Sequence, residues 1–205
     1  MVTGAILAGG KSRRMGVNKA FLRLGDRTLI EHGIHRIQPI TDELLIITNT
    51  PDEYNHLGIE TKADIIPNSG TLGGIHSALT YSTNDAVICV GCDNPFINTD
   101  LLLYLISMLG KYDAVIPYTC SEKGQMTLQT LCAVYSKRCL PIIEKMLNDA
   151  EYRVHALKWH ADINLIIPET WKKIDPDGHS FLNINTPDDF EVAQTLYDSL
   201  CRKTG

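Results

Sequence analysis

Thirteen residues near the amino terminus carry the most pointed chemistry in the chain. Leu7-Ala-Gly-Gly-Lys-Ser-Arg-Arg-Met-Gly-Val-Asn-Lys19 sets four basic side chains, Lys11, Arg13, Arg14 and Lys19, among Gly9, Gly10 and Gly16. Glycine lets a backbone approach a ligand closely and turn its N–H groups outward, and the basic side chains add full positive charge. Together they suit the phosphates of a nucleotide. Two familiar phosphate motifs do not fit. The P-loop pattern G-x-x-x-x-G-K-[ST] ends correctly at Gly10-Lys11-Ser12, but Ala5 stands where its first glycine belongs. The pattern G-x-G-x-x-G fails on the spacing of the same glycines. The loop is of a third kind.

A second group is acidic or amide-bearing. Val87-Ile-Cys-Val-Gly-Cys-Asp93-Asn-Pro-Phe96 reads as a buried strand ending in an acid. A carboxylate there is costly unless it is hydrogen-bonded, paired or on a metal. Mg²⁺ suits such a place, because it takes one or two carboxylates together with phosphate oxygens and water. Asp93 is therefore the expected metal ligand. Asp64 closes another run, Asn49 follows Ile46-Ile-Thr, and Asn68-Ser-Gly-Thr-Leu-Gly-Gly74 leads into a helix whose N-terminus favours anions. In Phe181-Leu-Asn183-Ile-Asn185-Thr-Pro-Asp-Asp189, Thr186 suits an N-cap, Pro187 the first helical position and Asp189 the third. An extended chain points Asn183 and Asn185 to the same side. Their carboxamides donate and accept without adding charge, which suits a polar ring or a phosphate.

The elements that must hold these residues follow from hydrophobic patterning. Strands are expected over residues 3–8, 43–48, 61–66, 86–90, 114–117, 128–134 and 164–167, and helices over 28–38, 72–81, 99–109, 137–148 and 187–201. Alternating β and α units with continuous apolar strands imply an α/β domain, its mainly parallel central sheet covered by helices on both faces. Ligands of such sheets bind beyond the carboxyl ends of the strands, where the motifs above fall.

Composition sets the remaining bounds. The 205 residues are 44% hydrophobic and 21% charged, ordinary values for one globular domain over 1–205, and argue against disorder or a coiled coil. The formal net charge of −5 argues against a nucleic-acid partner. It hides an asymmetry: Lys11, Arg13, Arg14, Lys19 and Arg23 precede the first acid, Asp26. No apolar run is long enough to span a bilayer, and the amino terminus has the wrong order for a secretory signal, so a cytoplasmic protein with no membrane partner is expected. The six cysteines are then reduced. Cys89-x-x-Cys92 lies in and just beyond an apolar run, with no second pair at zinc spacing, and reads as core rather than redox chemistry.

Leu-Ala-Gly-Gly-x-Ser-x-Arg-Met-Gly-x-x-Lys at 7–19 resembles the signature loop of sugar- and cofactor-nucleotidyltransferases. Ser12, Arg14 and Met15 make it most similar to the molybdenum cofactor guanylyltransferase family, and Asp93-Asn-Pro-Phe96, the glycines up to Gly74 and Asn183–Pro187 follow in that family's order. The resemblance implies a Rossmann-like nucleotidyltransferase fold and a Mg²⁺-dependent transfer of GMP from GTP to molybdopterin, with handover of the product to molybdoenzymes or other cofactor-biosynthesis proteins. It implies catalytic roles for Arg14, Lys19 and Asp93, with Asp93 on the metal. It implies nucleotide contacts from Leu7, Ala8, Gly9, Gly10, Lys19, Asn49, Asp64, Gly74 and Asp93, and acceptor contacts from Asn183, Asn185 and Arg153. Asn18 and Thr71 depart from it, standing where the family usually has Asp and Pro. Two alternatives stay open on the residues alone: a nucleotidyltransferase of another specificity, such as a cytidylyltransferase on molybdopterin or a sugar phosphate, and a non-catalytic nucleotide sensor on the same fold.

Overall fold

The structure, a computed structural model, describes residues 1–9 and 18–203. β1 (Val2–Leu7) is buried along nearly its whole length. That burial requires strands on both sides and helices above and below. β4 (Glu43–Ile47) and β6 (Ala86–Gly91) flank it, both parallel to it. β5 (Glu60–Lys62) extends the sheet beyond β4, also in parallel. On the other side stand β9 (Cys132–Ser136), β7 (Ala114–Cys120) and β10 (Ile163–Ile166), giving the order β10-β7-β9-β6-β1-β4-β5. β8 (Met126–Leu128) pairs with β7 off this path.

Helices cover both faces. α2 (Gly70–Tyr81) and α4 (Leu140–Asn148) bury Leu72, Ile75, Ala78, Ile143 and Met146 on one side. α1 (Leu29–Ile37) and α3 (Thr99–Ser107) bury Ile30, Ile37, Leu101 and Leu105 on the other. The short α5 (Pro168–Trp171) places Trp171 in this second layer. Two starts in this second layer carry side-chain caps. Thr28 and Glu31 form a reciprocal capping box at α1, and Asn98 accepts from the amides of Asp100 and Leu101 at α3.

A third, smaller cluster lies at one end. The hairpin of β2 (Arg23–Leu24) and β3 (Arg27–Thr28) meets α6 (Pro187–Lys203), burying Leu24, Leu29, Phe96, Ile184 and Ala193 together. Tyr197 of α6 donates to Asp26 at 2.7 Å. Gly25 turns this hairpin at φ +65, and the ring of Tyr197 fills the space a side chain there would need.

The α/β class, the parallel majority and the two helical layers match the sequence reading. Two strands differ. The expected strand over 61–66 ends at Lys62, because the Asp64 amide leaves the ladder and donates to the Asn49 side chain at 3.1 Å. The expected strand over 128–134 is two strands separated by a turn in which Cys132 N–H donates to the Gln129 carbonyl. β9 then runs antiparallel to both β6 and β7. An apolar run cannot announce such a reversal, since both halves are buried alike. The β2–β3 hairpin was not foreseen, being only two residues deep on each side.

Candidate active site

The parallel strands line up their carboxyl ends. Leu7 is level with Ile47 and with Gly91, and Ile47 with Lys62. Two residues beyond that row stand Gly9, Asn49, Asp93 and Asp64. Register alone therefore brings four residues singled out by type and spacing to one edge of the sheet.

Two clusters form along this edge. In the first, the Lys19 ammonium donates to Asp93 Oδ2 at 2.6 Å, to Asn185 Oδ1 at 2.9 Å and to the Ile184 carbonyl at 3.4 Å. The Lys19 and Asp93 side chains are 15% and 16% exposed, so the pair is shielded yet reachable. An ammonium has three hydrogens, and three acceptors take them. The Asp93 carbonyl accepts from the Ile184 amide at 3.1 Å, pinning the C-terminal segment to the end of β6. Ile184 is buried while Asn183 and Asn185 are exposed. Asn185 reaches Lys19, but among the described residues the Asn183 carboxamide donates only to the Phe181 carbonyl, at 3.5 Å.

In the second cluster, Asn49 donates to Asp64 Oδ2 at 2.8 Å and accepts from the Asp64 amide. The Asp64 carboxylate lies between Gly9 and Gly74: a Cβ on either glycine would come within 3.9 Å of it at Gly9 and 3.8 Å at Gly74. A Cβ on Gly74 would also meet the Leu7 side chain at 2.8 Å, so glycine is what lets α2 pack this close to β1. Leu7 itself is committed to structure, its side chain buried and its carbonyl accepting from the Cys92 amide.

Asn18 sits beside Lys19. Its carboxamide oxygen accepts from the Ala20 amide at 3.1 Å, capping the short 3₁₀ turn Lys19–Phe21. Its nitrogen donates to Glu53 at 2.7 Å and to the Tyr54 hydroxyl at 3.0 Å. Sequence reading passed over Tyr54. The one available signal is an aromatic residue in a Pro51-led turn soon after Asn49.

Among the described residues no group of three or more His, Cys, Asp or Glu side chains gathers to hold a metal. Asp93 supplies one hard oxygen donor at an edge open to phosphates, a donor set that fits Mg²⁺ better than zinc. Cys89 and Cys92 are buried in and just after β6, and burial pushes the Cys92 thiol up to about 12. Gly10, Lys11, Arg13 and Arg14 lie outside the described residues.

A family described as the MobA-like NTP transferase domain matches residues 4–163. A probable molybdenum cofactor guanylyltransferase of Clostridium perfringens is 39% identical over 192 residues, spanning 92% of this chain and 94% of the relative. A molybdenum cofactor guanylyltransferase of Desulfosudis oleivorans is 35% identical, covering 94% of each. The chain belongs to the molybdenum cofactor guanylyltransferase family. The crystal structure of molybdopterin-guanine dinucleotide biosynthesis protein A from Archaeoglobus fulgidus shares the fold, with a TM-score of 0.81, 24% identity and coverage of 96% of this chain and 99% of that one.

In this MobA-like transferase the candidate residues divide by what the fold does with them. Lys19, Asp93 and Asn185 come together, as do Asn49, Asp64, Gly9 and Gly74. Arg153 is exposed at the start of the 3₁₀ turn Val154–Trp159, and its side chain makes no hydrogen bond or ion pair to either cluster. Thr71 stands in the first turn of α2 without interrupting it. No helix among the described residues is long and apolar enough to cross a membrane.

Proposed function

We propose that this protein transfers GMP from GTP to the terminal phosphate of molybdopterin, forming molybdopterin guanine dinucleotide and releasing pyrophosphate. The observation that supports it most is the meeting of Lys19, Asp93 and Asn185 on the strand edge that also carries Gly9, Asn49 and Asp64. The names of the relatives point the same way.

The reaction joins two anions, so repulsion is its first obstacle. An acceptor phosphate oxygen attacks the α-phosphorus and pyrophosphate departs on the opposite side. The Lys19 ammonium, held beside Asp93 and Asn185, draws phosphate oxygens to this edge and offsets charge that spreads in the transition state. Asn49 and Asp64 offer a donor and an acceptor to the ribose or base, which the exposed backbone at Gly9 leaves room to approach. Asn185, tied to Lys19, presents a neutral polar group to the acceptor. Arg14 is assigned by resemblance to the transferred phosphate. The attacking phosphate is already ionised, so no general base is required. Asp93 would hold Mg²⁺, which when bound neutralises phosphate charge.

Purified protein given GTP, Mg²⁺ and molybdopterin should release pyrophosphate and yield a product heavier than molybdopterin by one GMP, read by mass spectrometry. Chelating the divalent ion should stop the release. Absence of pyrophosphate under the complete conditions overturns the proposal.

A further inference from the structure

Tyr54 is buried to 0% exposure in the second hydrophobic layer, yet it carries a hydroxyl. A buried hydroxyl is held only where it finds partners. Beside the nearby Thr48 hydroxyl, Tyr54 finds two partners that lie on opposite sides of the Gly9–Val17 stretch in the sequence. Its oxygen accepts from the Asn18 carboxamide at 3.0 Å, and its proton is directed to the Ala8 carbonyl at 3.4 Å. Burial raises the phenol above its ordinary value of 10, so it keeps that proton. The ring is wedged against Phe21, centroids 4.9 Å apart, and Phe21 ends the 3₁₀ turn that begins at Lys19.

The direction of these bonds depends on Asn18 being an amide. Its nitrogen serves Glu53 and Tyr54 at once while its oxygen serves Ala20. A carboxylate at 18 has nothing to donate. It would face Glu53 as a like charge, and it would take the Tyr54 proton from Ala8.

We infer that Tyr54 is a positioning residue for nucleotidyl transfer, its hydroxyl tying the Ala8 carbonyl at the end of β1 to Asn18 and so fixing where Lys19 meets Asp93. This rests on the proposed reaction. Lys19 is the residue after Asn18, and a misplacement of about 1 Å in a group that meets the reacting phosphates is enough to cost catalysis up to ~100-fold.

The test compares wild type with Tyr54→Phe, Asn18→Asp and the double variant, measuring pyrophosphate release at varied GTP and at varied molybdopterin, with thermal melts of each. Tyr54→Phe keeps the ring and its packing, so its melting midpoint should stay within about 8 °C of wild type, the shift that the two lost hydrogen bonds to Asn18 and Ala8 give a chain this size. Its kcat/KM for GTP should fall about tenfold while KM for molybdopterin holds. Asn18→Asp should lose at least as much. The double variant should be no worse than Asn18→Asp alone, because both changes break one linkage. A Tyr54→Phe enzyme with wild-type kcat/KM for GTP overturns the inference, and so do losses in the two single variants that simply multiply. Failure of wild type to release pyrophosphate would instead refute the reaction on which the inference rests.

Discussion

Lys19 has one charge and three acceptors, and that concentration makes it the residue whose loss should cost most. Lys19→Ala should lower kcat for pyrophosphate release by about 10²–10³, the scale seen when one preorganised group is removed from developing charge. Circular dichroism should show the fold intact. A variant within threefold of wild type would remove Lys19 from the mechanism. The thiols give a second check at this scale. Cys92 and Cys132, both pushed up to about 12 by burial, and the equally buried Cys89 and Cys139 should stay unmodified at pH 8 in the folded protein. A thiol reagent should therefore count only the exposed Cys120 and Cys201 until denaturant is added. Asp93 was legible in the sequence as an acid ending a buried strand. Asn183 and Asn185 were not distinguishable there, because both are exposed beside buried Ile184 and only the position of Lys19 separates them. The role of Tyr54 was hard to read, since the two partners it links, Asn18 and Ala8, lie 36 and 46 residues away.

At the scale of elements, the short-range signals told most. Thr186 with Asp189 marks a helix start in the sequence, and the structure shows that this pair and Thr28 with Glu31 both make their cap bonds. Thr186→Ala should cost about 1 kcal/mol, seen as a midpoint lower by about 2–4 °C. Asp189 is held below its ordinary 3.8 first by the Asn185 amide, then by Thr186, and Glu31 below its ordinary 4.5 by the Thr28 amide and hydroxyl. The sign follows: their charged forms stabilise fully above those ordinary values, and the benefit drains away as pH falls through the lowered ones. Acid titration below pH 4.5 should therefore lower the midpoint of wild type more steeply than that of Asp189→Asn. Gly74→Ala tests how tightly α2 rides on β1. The new Cβ meets Leu7 at 2.8 Å, and such overpacking should cost about 1–3 kcal/mol in urea unfolding. What this scale concealed was direction. The run over 128–134 shows neither the turn at 129–131 nor the antiparallel course of β9, because burial on both faces gives the same apolar pattern whichever way a strand runs.

At the scale of the whole molecule, GTP should raise the melting midpoint. A ligand at 100 times its Kd adds about 2.7 kcal/mol to folding, and CTP at equal concentration should add less. A larger shift with CTP would point to a different base. Truncation after Asn185 would strip Phe190, Ala193, Leu196 and Tyr197 from the third cluster and expose Leu24 and Ile184. Such a chain should melt at lower temperature and release little pyrophosphate, since Ile184 and Asn185 would lose the helix that holds them against Lys19. The sequence by itself determined the α/β class, the start of α6 at Pro187 and the acid at the end of β6, all of which depend on residues close in the chain. Only the tertiary structure decided that Lys19 meets a partner 74 residues away and another 166 residues away, that Asn49 pairs with Asp64, and that Tyr54 links Ala8 to Asn18. Those meetings follow from strand order and register, set by packing of the whole sheet between its helices rather than by any local pattern.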